Sequence, residues 1–235
     1  MRKFSSRLLI LSAALLAALL AACASTPEAP AWQSSAHGSL QSFSSAYLRG
    51  DTRIADIEFA RARGELAATG RATLVAQAEL IRCATRVASL EFDACTGFDA
   101  IAEDVGPTER SYAAYIMGRW QGLDAALLPT HHRALLNKAT PSDGKSQLAG
   151  IDDPLAVLVA AGALLQNGRL TPSDIELATE TAAAQGWRRP LLAWLGVQAQ
   201  RAQQAGALDA YARIQRRIAL VGNLPNKEPI GGGVN

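Results

Sequence analysis

The chain has 235 residues, 49% of them hydrophobic but only 6% aromatic, with 23 basic and 21 acidic side chains. That near balance excludes an electrostatic case for nucleic acid or a strongly anionic partner, both of which favour a clear positive excess. Abundant alanine and few aromatics favour helix, and the length suits one domain or two small ones.

Arg2, Lys3 and Arg7 precede an apolar run from Leu8 to Leu20 broken by Ser12, the arrangement of a secretory signal peptide. The run is shorter than the roughly 20 apolar residues of a stable membrane span, and no basic stop-transfer cluster follows it. It closes on Leu20-Ala21-Ala22-Cys23, which resembles the lipobox of bacterial lipoproteins. The resemblance implies cleavage before Cys23 and lipidation of its thiol. Because Ala24, not aspartate, follows the cysteine, it also implies the outer membrane, with the protein facing the periplasm. Acyl chains bury methylenes at about 0.8 kcal/mol each, so two or three hold a domain at a membrane surface. Removal of residues 1–22 takes three basic side chains, leaving 213 residues with 20 basic and 21 acidic.

Residues 23–38, with Pro27 and Pro30 and no period of 2 or 3.6, are expected to be the lipidated cysteine and a flexible tether. The helical domain is expected over 39–222. Ala55, Phe59, Ala62 and Leu66 share one face of a predicted helix over 52–69, and Leu74, Ala78, Ile81 and Ala84 mark the next, with Gly70 between. The two form a helical hairpin. Their arginines alternate with Asp51, Asp56, Glu58, Glu65, Glu79 and Glu91, a solvated mixed face with Glu58 and Arg61 as an i, i+3 pair.

Cys83 and Cys95 remain as an even pair in an oxidising compartment, so a disulfide is expected. A bridge needs Cα atoms within about 7 Å. A helix continuing from Cys83 to Phe92 would carry the chain about 13 Å away, so the helix must end near Ala88 to Leu90. A short helix is expected over 98–103, then one beginning at Pro107 and running through Tyr112, Tyr115, Ile116 and Trp120. Tyr112, Tyr115 and Trp120 suit either a ligand groove or a core with polar tips outward.

The segment 123–150 is the least regular. His131 and His132 are the low-ranked catalytic candidates; adjacent helical side chains point about 100° apart and cannot share one metal face as i, i+4 histidines do. A capping or surface role is the expectation. No nucleophile elbow, phosphate loop or spaced ligand set accompanies them, so neither metal nor cofactor is expected, and an enzyme is not favoured.

Helix starts at Pro154, Pro172, Pro190 and Ala207 are separated by 18, 18 and 17 residues, with glycines at 150, 168, 186, 206 and 222 marking the joints. Proline just inside the start and glycine just past the end is the asymmetry of helix termini. Asp152 and Asp153 are candidate caps, and Thr171-Pro172-Ser173-Asp174 forms a capping-box pattern. Leu155–Leu165 is apolar almost all round, marking a central helix. Leu208, Tyr211, Ile214, Ile218 and Val221 line one face of an outer amphipathic helix. The stretch from Ala193-Trp194-Leu195-Gly196 to Tyr211 resembles a tetratricopeptide unit in architecture, with departing glycine and alanine offsets. Residues 223–235 are expected to be a disordered tail.

The expected fold is all-α, stacked antiparallel helical hairpins forming an α-solenoid-like array or an irregular bundle. The expected function is an outer-membrane lipoprotein whose periplasmic domain binds a protein partner in the envelope, as an interaction or assembly module. The alternative is a periplasmic hydrolase or small-ligand binder with a pocket near His131 and His132.

Overall fold

The computed structural model describes residues 30–137 and 144–223, and every regular element among them is helical: ten α-helices and two 3-10 turns. The chain divides into two units, 1–34 and 35–235. Of the first unit, the described part is the beginning of helix α1 (Ala31–Arg49); all the other described elements belong to the second. The leader, Cys23 and the residues after 223 lie outside the described residues. No described helix is long and apolar enough to cross a membrane.

Helix α1 corrects the last part of the tether expected over 23–38, because residues 31–38 are helical, while residues 23–29 lie outside the described residues. Ala36, Ser39, Phe43, Ala46 and Tyr47 form one buried stripe, and tertiary burial of such a stripe outweighs the weak helix propensity of serine and Gly38. The Phe43 and Phe59 rings, 5.2 Å apart, join α1 to α2 (Thr52–Ala67). On α2 the buried residues are Ala55, Phe59, Ala62 and Leu66, the face that the sequence predicts, and Arg61 lies 3.8 Å from Glu58. Gly70, at φ +67°, turns the chain into α3 (Ala72–Ala88).

Helix α3 stops where the cysteines require. Leu90 takes the left-handed conformation at φ +60°, a region that L side chains rarely enter, and the chain doubles back. Cys83 and Cys95 are joined with their Cα atoms 5.9 Å apart. The bridge holds α4 (Thr96–Asp99) on α3 with Phe98 buried. Nearby, the buried Glu79 carboxylate accepts from Arg63 Nε at 2.6 Å.

A 3-10 turn (Ala102–Asp104) leads to α5 (Pro107–Ile116). This helix ends before Trp120, against the sequence expectation, because Gly118 at φ +69° breaks it. Trp120 folds back instead, donating Nε1–H to the Tyr115 carbonyl at 2.8 Å. A second 3-10 turn (Ala125–Leu127) precedes α6 (Thr130–Asn137).

Four helices follow: α7 (Pro154–Gln166) and α8 (Pro172–Ala184) start at the predicted prolines, whereas α9 (Arg188–Gln204) begins two residues before Pro190 and α10 (Leu208–Gly222) one residue after Ala207. Their short joints make neighbours antiparallel, and each packs on the next. Asp153 Oδ1 accepts from the Ala156 N–H at 2.6 Å, and Thr171 with Asp174 completes a capping box. Burial opposes the Asp174 charge, but hydrogen bonds from Ser146, Thr171 and Gln147 outweigh it and hold the carboxyl below its ordinary value.

The core centres on α3 and α7. Val157 through Leu164 are all buried, as their all-round apolarity requires. Gly162 permits the crossing: a Cβ there would lie 2.5 Å from the Val87 carbonyl oxygen and 2.7 Å from its Cγ1. Since backbone must move to admit it, Gly162→Ala is expected to cost about 2–3 kcal/mol despite the better helix propensity of alanine. A urea midpoint equal to or above that of the unsubstituted protein would contradict this. Arg189 of α9 donates to the Tyr47 carbonyl at 2.8 Å, to Glu91 at 3.0 Å and to Thr52 Oγ1 at 2.6 Å. Helix α10 is the outer one: Ile214, Ile218 and Val221 pack on the core, while Leu208 and Leu220 are 75% and 72% exposed.

Candidate functional site

Four helices, α3, α5, α6 and α7, and a 3-10 turn leave a concavity among them. Helix α3 contributes Leu80, Ile81 and Ala84, α7 contributes Leu155, Ala156 and Val159, and the 3-10 turn with its exit contributes Ala126, Leu127, Leu128 and Pro129. The floor is apolar because the spacing 80, 81, 84 on α3 and 155, 156, 159 on α7 sets adjacent turns of two apolar faces side by side. Polar groups stand at the edges: Gln77, Thr108 and Glu109, Tyr112, His131 and Arg133, and Asp153. The groove encloses about 610 Å³.

Tyr112 and Tyr115 separate in role. They are three apart on α5 with rings stacked at 6.3 Å, yet Tyr112 lines the groove and Tyr115 is fully buried behind it. Burial raises both phenols above their ordinary value, Tyr112 with help from the Asp153 charge and Tyr115 with help from Tyr112. Trp120 stacks on Tyr115 at 5.2 Å, and the Arg169 guanidinium lies 5.1 Å over Trp120.

The two histidines also separate. His131 is exposed at the rim, as expected, whereas His132 is 1% exposed, which corrects the surface or capping role expected for it. The reason lies in its neighbours: Tyr115 Oη is 3.2 Å from His132 Nδ1 and their rings are 4.8 Å apart. The phenol satisfies a ring nitrogen that would otherwise be costly to bury. No local signal announces this pairing, since the partners are 17 residues apart on two helices separated by an irregular stretch.

Burial, with the nearby His131 charge, pushes the His132 imidazole down from 6.5 to about 3. The group is therefore neutral in the folded protein. In the unfolded chain it takes a proton near 6.5, so between about pH 6.5 and about 3 the unfolded state binds more protons and stability falls as pH falls. Above that window the group contributes no pH dependence. His132→Gln, which keeps a partner for Tyr115, is expected to flatten the loss of unfolding free energy between about pH 6.5 and about 4. An unchanged slope in urea melts across that range would refute the assignment.

Neither histidine is placed for hydrolysis as a pair. Their rings meet edge to face at 4.2 Å, and His132 bonds a phenol, not a serine or cysteine nucleophile. Among the described residues no group of three His, Cys, Asp or Glu side chains could hold a metal ion. The arrangement offers an apolar bed with a few fixed polar groups, which suits binding. Comparison of the chain with protein-family models, with curated proteins and with solved structures found no match in any of the three.

Proposed function

We infer that this is a lipid-anchored protein of the bacterial outer membrane, facing the periplasm, whose helical domain binds a small ligand with an apolar body. The groove carries the ligand reading: its volume of about 610 Å³ falls among small-molecule sites, which span about 300–1,000 Å³ and are mostly apolar with few polar groups. The anchor rests on Leu20-Ala21-Ala22-Cys23 and the leader before it. An anchored binder holds its ligand close to a membrane that stores apolar molecules.

An uncharged apolar fluorophore such as N-phenylnaphthylamine tests the groove. It is expected to brighten saturably with the protein, and Ala126→Trp is expected to weaken it about tenfold or more by filling the entrance, a difference of about 1.4 kcal/mol. Ala126 is an exposed residue of the lining, so the substitution leaves the core intact, which a thermal melt checks. Brightening that never saturates, or that Ala126→Trp leaves unchanged, removes the ligand reading. For the anchor, the mass of the mature N-terminal peptide is expected to carry acyl chains on Cys23, and an unmodified Cys23 removes that part.

A protein-interaction or envelope-assembly role has its own support in Leu208 and Leu220, which α10 exposes to solvent. Loss of a specific envelope crosslink on Leu208→Asp with Leu220→Asp, while the fluorophore still binds, would establish that second role beside the first.

A further inference from the structure

The floor of the groove specifies the body of its ligand, and the rim specifies the head. Two carboxylates stand there, Glu109 in the first turn of α5 and Asp153 at the N-cap of α7. Each engages one oxygen within the protein. Asp153 Oδ1 accepts from the Ala156 N–H at 2.6 Å, and Glu109 Oε1 lies 3.4 Å from the Gln77 amide. Their second oxygens are left for a ligand. Tyr112 adds an aromatic surface to the same wall, its ring stacked at 6.1 Å on His132, and an aromatic face attracts an ammonium group.

Among the charged lining side chains two are carboxylates, Glu109 and Asp153, and one is a guanidinium, Arg133. Arg133 donates its Nε–H to the Leu128 carbonyl at 2.8 Å, which ties the guanidinium to the groove wall. The N-termini of α5 and α7 attract anions in principle, but Glu109 and Asp153 occupy those ends. A carboxylate ligand would add a third negative charge beside two fixed ones.

We propose that the groove selects small amphiphiles whose apolar body ends in a primary ammonium, with the head between Glu109 and Asp153 and against Tyr112. The proposal rests on the ligand-binding reading of the groove given above. The field along the wall agrees with it: Asp153 acts on the Tyr112 phenol, raising it together with burial. Charge-assisted bonds to an ammonium are roughly twice as strong as neutral ones, and the apolar floor takes the chain.

The test uses octylammonium, octanol and octanoate with the full mature protein in lipid nanodiscs, empty nanodiscs being titrated in parallel to subtract partition. Octylammonium is expected to bind about tenfold tighter than octanol, with octanoate the weakest, and the preference to shrink in high salt. Glu109→Gln with Asp153→Asn is expected to bring the ratio of octylammonium to octanol affinity to about one. Asparagine caps a helix as well as aspartate does, so α7 keeps its start. Octanoate binding as tightly as octylammonium, or a preference that survives the double substitution, overturns the proposal. Saturable octanol binding without ammonium preference overturns the charge assignment alone, whereas no saturable binding of any of the three overturns the ligand reading as well.

Discussion

Trp194→Ala is expected to lower the unfolding free energy by about 4–5 kcal/mol, the largest effect expected of a single truncation in this chain. Two losses combine. Trp194 is fully buried on α9, and truncating a buried aromatic to alanine costs about 3–5 kcal/mol through lost transfer energy and the cavity left behind. Its Nε1–H also donates to the Ala88 carbonyl at 3.2 Å, at the last residue of α3. Helix ends leave carbonyls without intrahelical partners, and an unpaired buried one costs about 1–3 kcal/mol. Trp194→Phe separates the two losses, since it keeps most of the apolar volume and loses the bond; about 1–2 kcal/mol is expected there. Urea unfolding checks both. An alanine variant within about 1 kcal/mol of the starting protein would mean that α9 does not seal the end of α3.

Replacing both Cys83 and Cys95 with serine is expected to cost about 3 kcal/mol. The bridge closes a loop across a separation of 12 residues, and in the chain-entropy model a loop of that size removes about this much freedom from the unfolded ensemble. The loss should also be local in the native state. Phe98 on α4 is buried against the rest of the core, but α4 has only four residues, too few to persist without its attachments. Hydrogen exchange is therefore expected to rise over 89–106 well before it rises in α7. Equal stability with and without reductant, or uniform exchange along the chain, would show that the bridge is dispensable.

Legibility from sequence follows from how local each cause is. The joints at Gly168, Gly186 and Gly206 could be read because a glycine at positive φ acts on its own turn, and all three have it. Asp153 and Thr171 could be read as caps for the same reason, their acceptor and donor lying within three residues. The end of α3 was legible from a covalent constraint, because the cysteine spacing forbids a longer helix. Helix α5 could not be bounded this way, as Trp120 offered an apolar residue in register and hid the break at Gly118. The start of α1 was hidden by poor propensity, and the stripe from Ala36 to Tyr47 has meaning only once α2 supplies Phe59. The groove was the least legible feature. Tyr112, His131 and Asp153 are far apart in the sequence, and it takes the crossing of α3 and α7 to turn their separate positions into one rim.

Arg189 sets an order of events. Its bonds reach Thr52 and Tyr47 across 137 and 142 residues of chain, while its guanidinium covers the Tyr47 ring at 4.2 Å. A chain synthesised from its N-terminus presents α1 and α2 long before α9. The first helices therefore wait, incompletely tied, until most of the polypeptide has arrived, and contacts of such separation slow folding because loop closure precedes their gain. During that interval Phe43, Phe59 and their neighbours are open to chaperones and proteases, so the place where the chain ends its assembly is also the place where it is exposed first.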